Sequence, residues 1–239
     1  MAPFTVDFYD PQVKAKDGEN RTLDDILKFT DNELEYHHDF IQILFPLPER
    51  SPINPRAPVI NKETRDAFVQ RQELRQQYFR SLVCIARFYG FDITSETIAN
   101  DKVAIFMKPD PQRFDRNSKL WRTRFGHNHL RITRIIRSLR VLGMEDLAHG
   151  FWQTLVNNDK TNSISERTFM FWERAATRPL RLAPEENDED ARGLAWLREV
   201  DDAVELARQG RSDGEQAGGY DAETGRMAVL RKDEVAGLD

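Results

Sequence analysis

Between Leu34 and Ile60 the chain reads LEYHHDFIQILFPLPERSPINPRAPVI, an aromatic-rich helical pattern that runs straight into five prolines. Tyr36, Phe40, Ile41 and Leu44 recur at i, i+4, i+5 and i+8, the spacing of one buried helical stripe. Pro46 and Pro48 must end that helix, because proline lacks the amide donor and drives its predecessor out of helical space. Pro52, Pro55 and Pro58 are then expected to hold the backbone extended, as a strap across a helical core. The strap would fix where Tyr36, His37, His38 and Asp39 point.

The rest of the chain carries helical signals of the same kind. Thr22 is placed to cap a short helix to Phe29, and Asp31 to cap the one that meets the prolines. Leu74, Tyr78, Leu82, Ile85 and Tyr89 predict a central helix within a stretch opening at Asn61. Gly90–Phe91 and Gly143–Met144 read as left-handed helix ends followed by an apolar residue. Ile132, Ile135, Ile136, Leu139 and Leu142 line one face of a helix over 128–142. Leu147, Phe151 and Leu155 line the next, where Gly150 signals close packing. Ser163 with Glu166 predicts a capped helix running to Thr177. Val103–Met107 is the one stretch that also fits a short strand. Taken together, the pattern predicts an all-α fold, a single globular multi-helix domain with a proline-rich extended strap and termini that lean toward disorder. The boundaries expected are a flexible segment 1–21, the helical domain 22–180, an acidic linker 181–190, a helix 191–209 and a disordered tail 210–239.

With 239 residues, 39% of them hydrophobic and 15 of them Phe, the chain can bury a substantial core. No apolar run approaches the roughly 18 residues that a membrane-spanning helix needs. The N-terminus lacks the basic and apolar regions of a secretory signal, and Cys84 is the only cysteine. An intracellular protein, in nucleus or cytoplasm, is expected.

Chemistry-bearing motifs are scarce. His127-Asn128-His129 places two histidines about 200° apart on a helix, so they cannot share one ion, and Asn128 reads as a helix cap. None of the five histidines has a partner at i+4, the usual zinc spacing on a helix. Neither GxSxG nor a glycine-rich phosphate loop occurs. A metal site assembled across the fold from His37 or His38 with His127 or His129 is the weaker alternative; a non-enzymatic protein without cofactor or bound metal is expected. Charge is unevenly spread: residues 112–140 carry nine basic residues against one acid, Asp115, although the whole chain is net −5. Arg131, Arg134, Arg137 and Arg140 recur every third residue. They read either as a solvated, salt-bridged outer face or as an anion-binding surface with Trp121, Arg122, Arg124 and Phe125. The preference for arginine over lysine suits buried ion pairs, or reflects codon composition.

The segment 34–60, the block WRTRFGHNHLRITRIIRSLRVLGMEDLA from Trp121 to Ala148, FYGF at 88–91 and FMFW at 169–172 occur in this order. Together they resemble the conserved domain of the opioid growth factor receptor family over roughly residues 34–177. The resemblance implies an all-helical domain unrelated to seven-helix receptors. It also implies an intracellular, nucleus-associated receptor for an enkephalin-type pentapeptide, at most peripheral to the nuclear membrane, that restrains cell proliferation. The C-terminal repeats of some animal members have no counterpart here. A peptide with an amine, an aromatic ring and a carboxylate needs an acid, an aromatic surface and an arginine. Tyr36, His37, Asp39 and Trp121 with Arg131 or Arg134 would supply them if the two blocks face each other. The competing reading makes Tyr36 and Trp121 core and the charges internal pairs. A short peptide or protein is therefore the expected partner. The runner-up is nucleic acid, bound through the basic surface of Arg122, Arg124, Arg137 and Arg140.

Overall fold

The structure, a computed structural model, describes residues 2–51, 54–99, 101–209 and 220–235. In chain order these form α1 (Phe4–Tyr9), α2 (Leu23–Ile26), α3 (Asp31–Tyr36), α4 (Phe40–Leu44), α5 (Lys62–Gln70) and α6 (Gln72–Phe88). Then come β1 (Phe91–Ala99), β2 (Lys102–Pro109), α7 (Phe114–Asn117), α8 (His127–Val141), α9 (Glu145–Asn158), α10 (Glu166–Thr177), α11 (Ala195–Gln209) and β3 (Arg226–Arg231).

The all-α expectation is overturned by an antiparallel sheet in the order β1-β2-β3. The apolar run at 103–107 is a central strand, with Val103, Ala104, Ile105 and Met107 buried. Its hairpin turns at Asp101, which takes the left-handed conformation (φ 58°) that aspartate tolerates better than bulkier residues. Both terminal expectations are corrected over the described residues only. Within 1–21, α1 packs Val6, Phe8 and Tyr9 into the core, and Tyr9 donates its hydroxyl to Leu44 O at 2.7 Å. Within 210–239, residues 226–231 form β3; residues 210–219 and 236–239 lie outside the described ones.

Two expected helices are each broken in two. The run after Asp31 stops at Tyr36 and restarts at Phe40, and the run from Asn61 is interrupted at the extended Arg71 (φ −103°, ψ 105°). Arginines sit at these breaks and at other helix ends, where the last carbonyls lack intrahelical partners. Arg75 Nη1 donates to Phe68 O and Val69 O at the end of α5. Arg65 donates to Arg140 O and Val141 O at the end of α8. Arg134 takes Phe45 O after α4, and Arg140 takes Ala175 O and Arg178 O at the end of α10. A cation near a helix C-terminus is favourable on dipole grounds as well. These contacts are to backbone carbonyls, not the buried ion pairs expected from the arginine surplus.

Over its described residues the proline segment closes on itself rather than running as an extended strap. Leu47 and Val59 form a parallel bridge, and Ile60 N donates to Leu47 O at 3.0 Å. Asn54-Pro55-Arg56-Ala57 turns the chain, with Ala57 N donating to Asn54 O at 3.0 Å; Asn and Pro hold the first two positions that such a turn favours. The loop is pinned to the core where Ser138 Oγ donates to Pro46 O at 2.7 Å and accepts from Tyr78 Oη at 2.7 Å.

Candidate functional site

Helix α3 starts on a capping box: the Thr30 side chain accepts from Glu33 N, and the Glu33 carboxylate accepts from Thr30 N. It ends because Arg131, rising from α8, captures the carbonyls a longer helix would have used. Arg131 Nη1 donates to Leu34 O at 2.9 Å, and Nη2 donates to His37 O at 2.8 Å and to His38 Nδ1 at 2.7 Å. A guanidinium only donates, so His38 Nδ1 accepts and the ring proton sits on Nε2. The guanidinium carbon lies 5.5 Å from the Phe40 ring centre.

Around this clamp a group of side chains reaches solvent. Tyr36 is 82% exposed, and its ring meets His37 edge-on at 5.8 Å. The His38 ring lies 5.2 Å from that of His127, and His127 Nε2 is 3.3 Å from the Glu35 carboxylate. Glu35 also accepts from Asn128 Nδ2 at 3.1 Å. Asn32, Glu33, Glu35, Tyr36, His37 and His38 line an open groove. A second open groove shares Asn32 and Glu35 and reaches Arg116, 3.3 Å from Asp31.

The two sequence blocks therefore face each other, but not through all the expected residues. Tyr36 and His37 are at the surface. Asp39 is tied to Arg21, which also holds Asp17 at 2.6 Å. Trp121 is wholly buried and donates Nε1 to Tyr89 O at 3.0 Å. Arg131 is buried in its clamp and Arg134 is half-buried against Phe45 O. Of the expected basic surface, Arg124 is exposed and Arg122 half-exposed, whereas Arg137 is buried by Glu49 and by carbonyls of the turn after α10, and Arg140 by Glu145 and carbonyls at the end of α10. A helix start at Asn128 is also corrected: α8 begins at His127, and Asn128 is buried between Glu35 and Leu120 O. Glu35, His127 and Arg116 were missed as a group because they come together only through the docking of α3 on α8 and α7. The acidic string DNELE before Tyr36 was the available signal. Among the described residues, no group of three or more His, Cys, Asp or Glu side chains could hold a metal ion.

The clamp has a measurable consequence. Arg131→Lys keeps the charge but loses the planar fork, so it is expected to cost about 2 kcal/mol of stability in urea unfolding. Equal stability of the two proteins would show that the fork is dispensable.

The imidazoles set a pH dependence. Burial lowers the His127 pKa below its ordinary 6.5, with Glu35 pulling the other way; burial also lowers that of His149 on α9. The unfolded chain therefore takes up protons first, and stability held above pH 6.5 is lost as the pH falls below it. Asp10, lowered by its hydrogen bond from Arg71, acts only below about 3.8. The melting temperature is expected to fall between about pH 7 and about pH 5, and less in a His127→Gln/His149→Gln variant. Parallel curves for the two proteins would remove these histidines as the cause.

Fold and surface define a helix-dominated domain with a small antiparallel sheet, held by buried arginines and presenting an aromatic, imidazole and carboxylate face. The chain belongs to the opioid growth factor receptor family: residues 3–174 match the opioid growth factor receptor (OGFr) conserved region. It is 35% identical over 126 residues to the opioid growth factor receptor of Rattus norvegicus, covering 52% of this chain and 20% of the relative. It is 35% identical over 127 residues to that of Homo sapiens, covering 52% and 17%. The opioid growth factor receptor-like protein 1 of Rattus norvegicus is 29% identical over 113 residues, covering 47% and 22%. The chain thus spans about a fifth of the length of the curated relatives it matches. No solved structure matches it. Among the described residues no helix is long and apolar enough to cross a membrane.

Proposed function

We propose that this chain is an intracellular, non-enzymatic binding protein for short peptides that present a free amine close to an aromatic ring. Its relatives' name points to an opioid peptide, so an enkephalin-type pentapeptide is the probe of choice. The observation that carries the reading is the exposed Tyr36 beside His37, His38, His127 and the Glu35 carboxylate, on a face fixed by Arg131. Glu35 meets the ammonium group. Tyr36 and the imidazoles take the aromatic ring, and Arg116 on the far side of α3 takes the carboxylate. Titration calorimetry with the pentapeptide is expected to give saturable heat, weakened about tenfold or more, near 1.4 kcal/mol, in Tyr36→Ala and in Glu35→Gln. Tyr36 is exposed, and glutamine keeps the shape of the half-buried Glu35 and an acceptor for Asn128, so both variants are expected to keep the fold. No heat with the wild type, or full affinity in both variants, rules the site out. A nucleic-acid partner on 112–140 is the weaker reading, since Arg131, Arg137 and Arg140 of that segment are buried. It would show as binding that falls steeply with salt.

A further inference from the structure

The third strand of the sheet comes from outside residues 3–174, the part that matches the family. β3 pairs with β2 in the register Val103–Leu230, Ala104–Val229 and Ile105–Ala228, and Met107 N donates to Gly225 O at 3.0 Å. It also packs on α9, where Gly150 opens a notch inside the helix. A Cβ on Gly150 would run into the carbonyl oxygen and Cγ of Met227. After the strand, Gln76 Nε2 donates to Asp233 O at 2.7 Å and Arg75 Nε lies 3.7 Å from Glu234. The receiving surface, made of the β2 edge, the Gly150 notch and Arg75, thus lies in the family region, while the strand that occupies it does not. The fit is incomplete. A half-open cavity of about 330 Å³ remains between Phe79, Met144 and Leu147 on one side and Val229 and Leu230 on the other, lined also by charged side chains, Arg75 and Glu234 among them.

We propose that the β2 edge and the Gly150 notch form a strand-docking site, filled in cis by residues 225–234 as a built-in ligand. In trans it accepts an extended segment of a partner protein. Main-chain bonds to β2 would supply affinity and side-chain pockets selectivity, as in other strand-addition interfaces. The pattern of the cis strand gives the partner's chemistry. It needs an unbranched apolar residue such as methionine over Gly150, a bulky apolar residue at the Leu230 position to fill the cavity, and an acid placed to meet Arg75. Without an occupant, β2 would present an unpaired edge of the kind that proteins normally cover.

The test uses the full chain with a specific protease site introduced between residues 210 and 219. After cleavage, a fluorescent peptide of residues 220–235 is expected to exchange into the site, read as a rise in anisotropy. A peptide with Met227→Asp should bind at least about tenfold more weakly, because it places a charge in an apolar notch. A peptide with Leu230→Phe should bind about threefold more tightly by filling the cavity. Uncleaved protein should take up little peptide. The proposal is overturned if the cleaved chain keeps its own strand without exchange, or unfolds on losing it. Equal binding of all three peptides would overturn it too.

Discussion

Arg137→Ala is expected to remove about 4 kcal/mol of folding stability. Arg137 is 2% exposed. It donates Nε to Glu49 at 3.1 Å, Nη1 to Leu182 O at 3.2 Å and Nη2 to Leu180 O at 3.1 Å, and it forms an ion pair with Glu49. Truncation leaves two buried carbonyls and a carboxylate without their donor. The Glu49 side chain is 37% exposed, so water recovers part of its solvation and the carbonyls carry most of the loss. Each orphaned acceptor costs about 1–3 kcal/mol, which sets the total. Arg124→Ala, at an exposed position of the same basic segment, should change stability by less than about 0.5 kcal/mol. Urea unfolding of both variants decides the matter. Similar values for the two would return Arg137 to the surface role that its spacing suggested.

That contrast shows what the sequence could and could not carry. Helix cores were legible because a buried stripe imposes its own period: Leu74, Tyr78, Leu82 and Ile85 do lie on one buried face of α6. Gly90 and Gly143 were legible because a left-handed helix end favours a residue without a side chain, and both have positive φ. The arginines of α8 were not. An arginine at every third position looks the same whether its guanidinium meets water or a carbonyl from a segment distant in sequence. Leu34 O, Phe45 O, Ala175 O and Leu180 O are such partners, and no periodicity in residues 127–141 announces them. The break between α3 and α4 was hidden for the same reason, since the stripe from Tyr36 to Leu44 continues unbroken in sequence. Tyr36 belongs to that stripe by spacing and yet is exposed, because Arg131 stops the helix beneath it. The strand at 103–107 was half-visible: its apolar run fits a strand, but its partner β3 lies more than a hundred residues away, in a stretch whose composition suggested a tail.

Trp121→Ala should cost about 4 kcal/mol, and its effect on peptide binding separates core from site. The indole is wholly buried, stacked on Phe91 at 5.9 Å and tilted against Trp172 at 6.5 Å. Its Nε1 supplies the donor for Tyr89 O, and its own carbonyl contacts His129 Nε2 at 2.9 Å. Loss of the ring opens a cavity between β1, α8 and α10 and leaves Tyr89 O unpaired. Trp121→Phe keeps most of the volume but still lacks that donor, so a loss of about 2 kcal/mol is expected. This conservative variant is expected to stay folded at room temperature, checked by circular dichroism before titration with the pentapeptide. A ring that contacted the ligand would lower affinity with little change in stability. With the ring buried among Phe91, Tyr89 and Trp172, the expected result is the reverse: a lower denaturation midpoint and no change in the proposed peptide affinity of the folded molecules.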